Sequence, residues 1–207
     1  MRKDSKMKPS VYKLSAFPLN VIVFPDEEIP LRIFEPRYKQ LISEHLENST
    51  PFGIPYIDSK TGITHIGSQV EIIKLVGQNG NGDMVITIKG KTLFKILDYF
   101  PVLPNKLYGG LISETLDNDF STTNPDIAVM VKKLKLNISP KFGTLIVSDS
   151  MNMLDIAKVL MLKATEKYKF LNLTNRLDRE QFILNQINFI ELIRAQETKL
   201  ENNFQLN

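Results

Sequence analysis

Cysteine is absent from the 207-residue chain. Its absence excludes disulfides, thiolate catalysis and cysteine-ligated zinc, and it fits a reducing, cytoplasmic setting. Histidine is scarce as well. His45 and His65 are the only two, with neither HExxH nor HxH spacing, so they make a poor metal site. The net charge of +3 is too small to imply nucleic acid by itself. No window approaches the roughly 18 consecutive apolar residues of a membrane helix. The basic start MRKDSKMKPS is not followed by the apolar stretch of a signal peptide, and residues 1–9 read as a flexible tail. There is no internal repeat and no low-complexity tract.

Several fragments of chemical motifs fail when their full requirements are applied. Gly90-Lys91-Thr92 looks like the end of a phosphate-binding loop, but the glycine required five residues earlier is Val85. Gly77, Gly80 and Gly82 are in the wrong order for a dinucleotide fingerprint and read as hairpin glycines. No serine sits in a G-x-S-x-G elbow. Asp26-Glu27-Glu28 reads as a solvated acidic turn. Lys132, Lys133 and Lys135 read as the wet face of a helix, with no interleaved aromatics for nucleic acid. No cofactor and no metal is implied.

What is present is a chain in two halves with different periods. Residues 10–118 read as strands. Val21–Phe24 forms a β-branched run stopped by Pro25, and Ile29–Phe34 a second run interrupted by Pro30. Residues 52–57 contain Pro55 and suit an edge strand. Val70–Val76 and Met84–Lys89 flank two Asn-Gly steps, a strong hairpin signal. Gly90 reads as a further turn before Thr92–Tyr99, and Leu107–Leu116 as the last strand. One embedded helix follows Pro36, with Tyr38, Leu41, Ile42, His45 and Leu46 on one face. Residues 124–207 change to a period of 3.6. Asn124-Pro125 starts a helix carrying Ile127, Met130, Val131, Leu134 and Ile138, which Ser139-Pro140 ends. A helix around Met153–Leu162 is apolar on all sides. Thr165 caps a short helix over Glu166–Leu171. A final helix from about Asn175 to Asn202 turns Phe182, Ile183, Ile187, Phe189, Ile190 and Ile193 inward. The fold class is therefore α+β, a β-rich unit with one embedded helix and then a C-terminal helical bundle.

The densest stretch reads Phe17-Pro18-Leu19, then Val23-Phe24-Pro25, then Ile29-Pro30-Leu31-Arg32-Ile33-Phe34-Glu35-Pro36-Arg37-Tyr38. In order and spacing it resembles the FPL, LFPG and PLxIFEPRY signature of the Lon protease N-terminal, substrate-binding domain. Softer matches at Phe52-Gly53-Ile54, Ile66-Gly67-Ser68, Gly82 to Leu97 and Leu171 to Arg176 extend the resemblance over most of residues 14–195. Asp26 stands where glycine is common, and Arg32 where histidine is frequent. From the residues alone, Phe17, Leu19, Ile22, Phe24, Leu31, Ile33 and Phe34 are expected core, and Pro25, Pro30 and Pro36 corners.

The resemblance implies a PUA-like pseudo-barrel followed by a helical subdomain, in a stand-alone protein without Lon's ATPase and Ser/Lys peptidase. It implies a non-enzymatic module that binds unfolded or apolar polypeptide segments, with a protease or chaperone as a candidate partner. A groove between barrel and helices would be lined by Tyr56, Phe100, Tyr108, Met151 and Met153. PUA-like barrels also suggest RNA binding, which the low charge argues against, and an interaction scaffold is the remaining alternative.

Overall fold

The computed structural model describes residues 11–116, 118–137 and 150–204. The expected tail and the expected helix end at Ser139-Pro140 lie outside them. Contact clustering divides the chain into two compact units, Met1–Asn118 and Asp119–Asn207.

In the first unit β1 (Val11–Ala16), β3 (Phe52–Asp58), β4 (Gly62–Gln78), β5 (Met84–Phe100) and β6 (Gly109–Thr115) form a closed sheet. The order β5-β4-β3-β1-β6 closes because β6 also pairs with β5. β2 (Glu28–Ile33) adds to the outer part of β5 and ends the sheet. The helix α1 (Pro36–Asn48) buries Tyr38, Leu41 and Ile42 against Ile33, Met84, Ile86 and Ile88 in the main core. Each such large side chain stabilises the fold by roughly 1.5–3 kcal/mol. Pro36 opens the helix, Glu35 pairs with Arg37 at 2.7 Å, and the Arg37 guanidinium lies over the Tyr38 ring.

Long strands replace several expected breaks. β5 runs straight through Gly90, where a turn was expected. Glycine is needed there for close approach, since a Cβ would meet the Phe24 carbonyl oxygen at 2.1 Å. Residues 21–24 are not a ladder strand. Ile22, Val23 and Phe24 are buried, and side chains satisfy part of their backbone: Val23 N–H donates to Ser68 Oγ at 2.9 Å and Phe24 N–H to Glu27 Oε2 at 2.8 Å. Glu27 N–H then closes a β-turn on Phe24 O at 3.0 Å, with Pro25 second and Asp26 third. Asp26 has φ +65°, the left-handed conformation for which this turn favours glycine. Asp26 N–H donates to Gly90 O, and Gly90 N–H donates to Glu27 O, so two residues oppose one. That is a β-bulge of the kind that usually carries glycine first.

Both prolines within strands have positional reasons. Gly90 donating to Glu27 O sets the odd-numbered residues of β2 toward β5. The missing N–H of Pro30 therefore lies on the free edge. Pro55 was expected on an edge strand, but β3 sits between β4 and β1. Gly53 and Pro55 carbonyls accept from Phe17 and Leu19 N–H, so the absent Pro55 N–H faces the short parallel contact with the β1 side. The register with β4 shifts just after it, between Pro55 and Ile57. Phe34 is 60% exposed rather than core, because it alternates with buried Ile33. Leu19 and Leu31 are partly buried against the core. β1 was not expected at all.

The second unit holds β7 (Ser121–Thr122), α2 (Pro125–Asn137), β8 (Met151–Asn152), α3 (Met153–Val159), α4 (Ala164–Asn172) and α5 (Arg176–Phe204), with β7 and β8 paired. Asn124 Oδ1 accepts from Asp126 N–H at the start of α2. Thr165 lies inside α4, whose cap is Lys163 with its N–H bonded to Glu166 at 2.8 Å. α3 ends at Val159, short of the expected Leu162, and Met161 beyond it is 80% exposed. On α5, Ile183 and Ile187 are buried, whereas Phe189 and Ile193 are exposed.

A polar clamp ties the unit's start to α5. Buried Glu180 accepts from Thr122 Oγ1 at 2.7 Å, Asn124 Nδ2 at 3.2 Å and Arg176 Nε at 2.9 Å. Arg179 donates to the Leu173, Thr174 and Asp119 carbonyls while lying over the Phe120 ring. Burial alone would push the Glu180 carboxyl up, but the bonds from Thr122, Arg176 and Asn124 outweigh it and hold it below its ordinary value.

Gly90→Ala should lower stability by at least about 2 kcal/mol in urea unfolding, because backbone must move. Gly77→Ala should stay within about 1 kcal/mol, since a Cβ there meets nothing within 4 Å. Glu180 contributes stability in full above the unfolded carboxyl value of about 4.3, and that contribution falls away as pH drops through its lower folded value. Unfolding followed by circular dichroism should show Glu180→Gln to be less stable at neutral pH and less sensitive to acid than the parent.

Candidate functional site

The residues expected to line a groove fall in different surroundings. Tyr56 on β3 is fully buried. Tyr108 is 3% exposed, and its hydroxyl donates to Glu44 Oε2 at 2.5 Å, where Lys106 Nζ also sits at 2.7 Å. Lys106, then Tyr108, hold the Glu44 carboxyl below its ordinary value. Met151 and Met153 are buried in the helical unit. Only Phe100, 39% exposed at the end of β5, offers a ring to solvent. The four buried side chains are held by core packing, and the structure does not assemble the five on one surface of the barrel unit, since the two methionines belong to the other unit.

A different surface of the barrel unit combines exposed apolar groups with a cleft. Beyond Val70 and Gly90 the sheet continues as a three-stranded ribbon, β2, β5 and β4, which β3 no longer flanks. Residues opposite one another share a face. The inner rows are Ile29, Ile88 and Ile72, then Leu31, Ile86 and Leu75, then Ile33, Met84 and Gln78. α1 covers their apolar members, except that Leu75 near the tip is 44% exposed and Gln78 beyond it is polar and exposed. The outer rows are Glu28, Lys89 and Glu71, then Pro30, Thr87 and Lys74, then Arg32, Val85 and Gly77.

Two register shifts, at Ile72/Lys74 and Leu75/Gly77, leave Ile73 and Val76 as extra bulge residues on β4, both exposed. Val85 is exposed too. An open cleft lies at the tip, lined among others by Arg32, Gly77, Asp83, Met84 and Val85. The tip itself is rigid: Asn79 Oδ1 accepts from Asn81 and Asp83 N–H, Gly82 takes φ +76°, and Lys39 of α1 bonds Asp83 at 2.7 Å and the Asn81 carbonyl at 2.8 Å. Lys39, then Asn79, hold the Asp83 carboxyl below the ordinary carboxylate range.

Residues 13–188 match the family described as the ATP-dependent protease La (LON) substrate-binding domain. The chain belongs to that family. Solved structures agree on the fold. A Lon N-terminal domain protein from Xanthomonas campestris superposes with a TM-score of 0.59 at 21% identity, covering 84% of this chain and 98% of its own. The N-terminal domain of Lon protease from the Mycobacterium avium complex also gives a TM-score of 0.59, at 11% identity, covering 86% and 98%. No curated protein matches the chain. The family match accounts for the FPL-to-EPRY resemblance, and the α+β architecture is that of Lon N-terminal domains. The 207 residues include neither the ATPase nor the peptidase domain of Lon. Among the described residues no group of three or more His, Asp or Glu could hold a metal ion, and no helix is long and apolar enough to cross a membrane.

The ribbon surface went unread in the sequence because its two bulges scramble the alternation of Ile72-Ile73-Lys74-Leu75-Val76. The legible signal was on the partners, in the period-two set Glu28, Pro30, Arg32 against Val85, Thr87, Lys89. The burial difference has a direct check. Met153→Ala should cost about 2–5 kcal/mol in unfolding free energy, and Phe100→Ala well under half of that.

Proposed function

We propose that the domain recognises exposed apolar segments of unfolded polypeptide, and that the outer end of the β2–β5–β4 ribbon is the contact surface. The observation that carries this reading is the group of exposed apolar side chains Ile73, Val76 and Val85 on two paired strand segments beside a cleft, with Leu75 exposed on the opposite face. Exposed apolar groups concentrated in this way mark an interaction surface rather than random exposure. Membership of a substrate-binding family supports a polypeptide ligand. The contact is made by side chains, because Pro30 interrupts one ribbon edge and the bulges disturb the other, which leaves little room for strand addition. No step of chemistry is involved, since binding alone is asked of the surface.

Fluorescence anisotropy with a labelled, permanently unfolded protein tests the reading. Binding should saturate, and Ile73→Asp with Val76→Asp should weaken it at least tenfold without moving the urea midpoint. A wild-type signal no greater than with a folded control protein would sink the proposal.

A further inference from the structure

The outer face of the ribbon carries a charge pattern that apolar recognition alone does not explain. At its base the cations are paired. Lys89 bonds Asp26 at 2.9 Å and Lys91 bonds Glu71 at 2.7 Å. Toward the tip they are not. Arg32 and Lys74 are exposed, and among the described residues neither makes an ion pair or a side-chain hydrogen bond. The nearby Asp83 carboxylate feels the Arg32 charge but makes its bonds elsewhere. Asp83 is already held by Lys39 at 2.7 Å and by Asn79 at 3.1 Å. The two free cations stand in adjacent rows, on the outer strands, with Val85 and Thr87 of β5 between them. Gly77 ends the Arg32 row without a side chain, and space around it is open, so the cleft over Val85 is accessible from that side.

We infer that this face selects acidic polypeptide segments, those in which Asp or Glu side chains flank an apolar residue. The inference rests on the polypeptide-binding reading above and names the substrate class for that surface. The apolar residue packs over Val85 and the exposed edge of the cleft. One carboxylate meets the Arg32 guanidinium, whose planar fork suits bidentate contact, and another meets Lys74. Two cations in separate rows, on a face open at both ends, suit a chain that passes across rather than a single terminal carboxylate. A nucleic acid is the poorer occupant, because the three outer rows carry no aromatic ring and Phe34, exposed just past Arg32, is a single ring rather than a stacking platform.

The test compares two labelled peptides of about twelve residues that share an apolar centre and differ only in flanking Glu against Gln. With the intact protein at low salt, the Glu peptide should bind about fivefold more tightly, the scale of exposed charge-assisted contacts. Arg32→Gln with Lys74→Gln should abolish the difference between the two peptides without moving the urea midpoint. High salt should also erase it. Equal binding of the two peptides by the wild type, or a preference that survives the double substitution, overturns the inference and leaves the polypeptide-binding reading standing. Failure of both peptides to bind overturns the two together. Displacement of the Glu peptide by a short single-stranded RNA at lower concentration than by unlabelled Glu peptide would assign the cations to nucleic acid and overturn the inference.

Discussion

The barrel unit depends on one close backbone approach, Phe24 against Gly90. β5 serves two sheets of contacts along its length. Its outer part pairs with β2 and β4, and its inner part with β4 and β6. The segment 21–27 crosses at the changeover, held by the reciprocal bonds of Asp26 and Glu27 with Gly90. A side chain at position 90 would occupy the volume of the Phe24 carbonyl. The FPL-to-EPRY stretch thus earns its density of constraint. Its prolines and its left-handed Asp26 deliver the chain to that crossing and release it into β2 with the right face inward.

What could be read from the sequence was local. The Asn-Gly hairpin, the Pro36 helix start and the Asn124 cap depend on residues within one turn of each other, and they stand where they were expected. What could not be read depended on contacts distant in sequence. Gly90 looks like a turn until Phe24 is placed against it. Pro55 looks like an edge residue until its missing N–H is found facing a parallel contact that needs little from it. Phe34 looks like core until alternation with Ile33 turns it outward. On α5, Phe189 and Ile193 continue the apolar pattern yet are exposed.

The same distinction governs the site. Aromatic and methionine side chains are conspicuous in a sequence, yet Tyr56, Tyr108, Met151 and Met153 are where large side chains most often go, into the core. The surface proposed instead is built from unremarkable residues, and its character comes from register. Bulges at Ile73 and Val76 bring apolar groups out, and the pairing of Arg32 with Val85 and Gly77 places a cation beside an open floor.

The edges of the ribbon have a further consequence. An unfolded chain brought to a sheet is a strand looking for a partner, and an open edge would let it pair, then let the next chain pair with it. Here Pro30 supplies no donor on one side, and the irregular backbone at 72–77 breaks the spacing of donors and acceptors on the other. A chain bound as proposed would find no template to extend, so its binding would not seed cross-β growth.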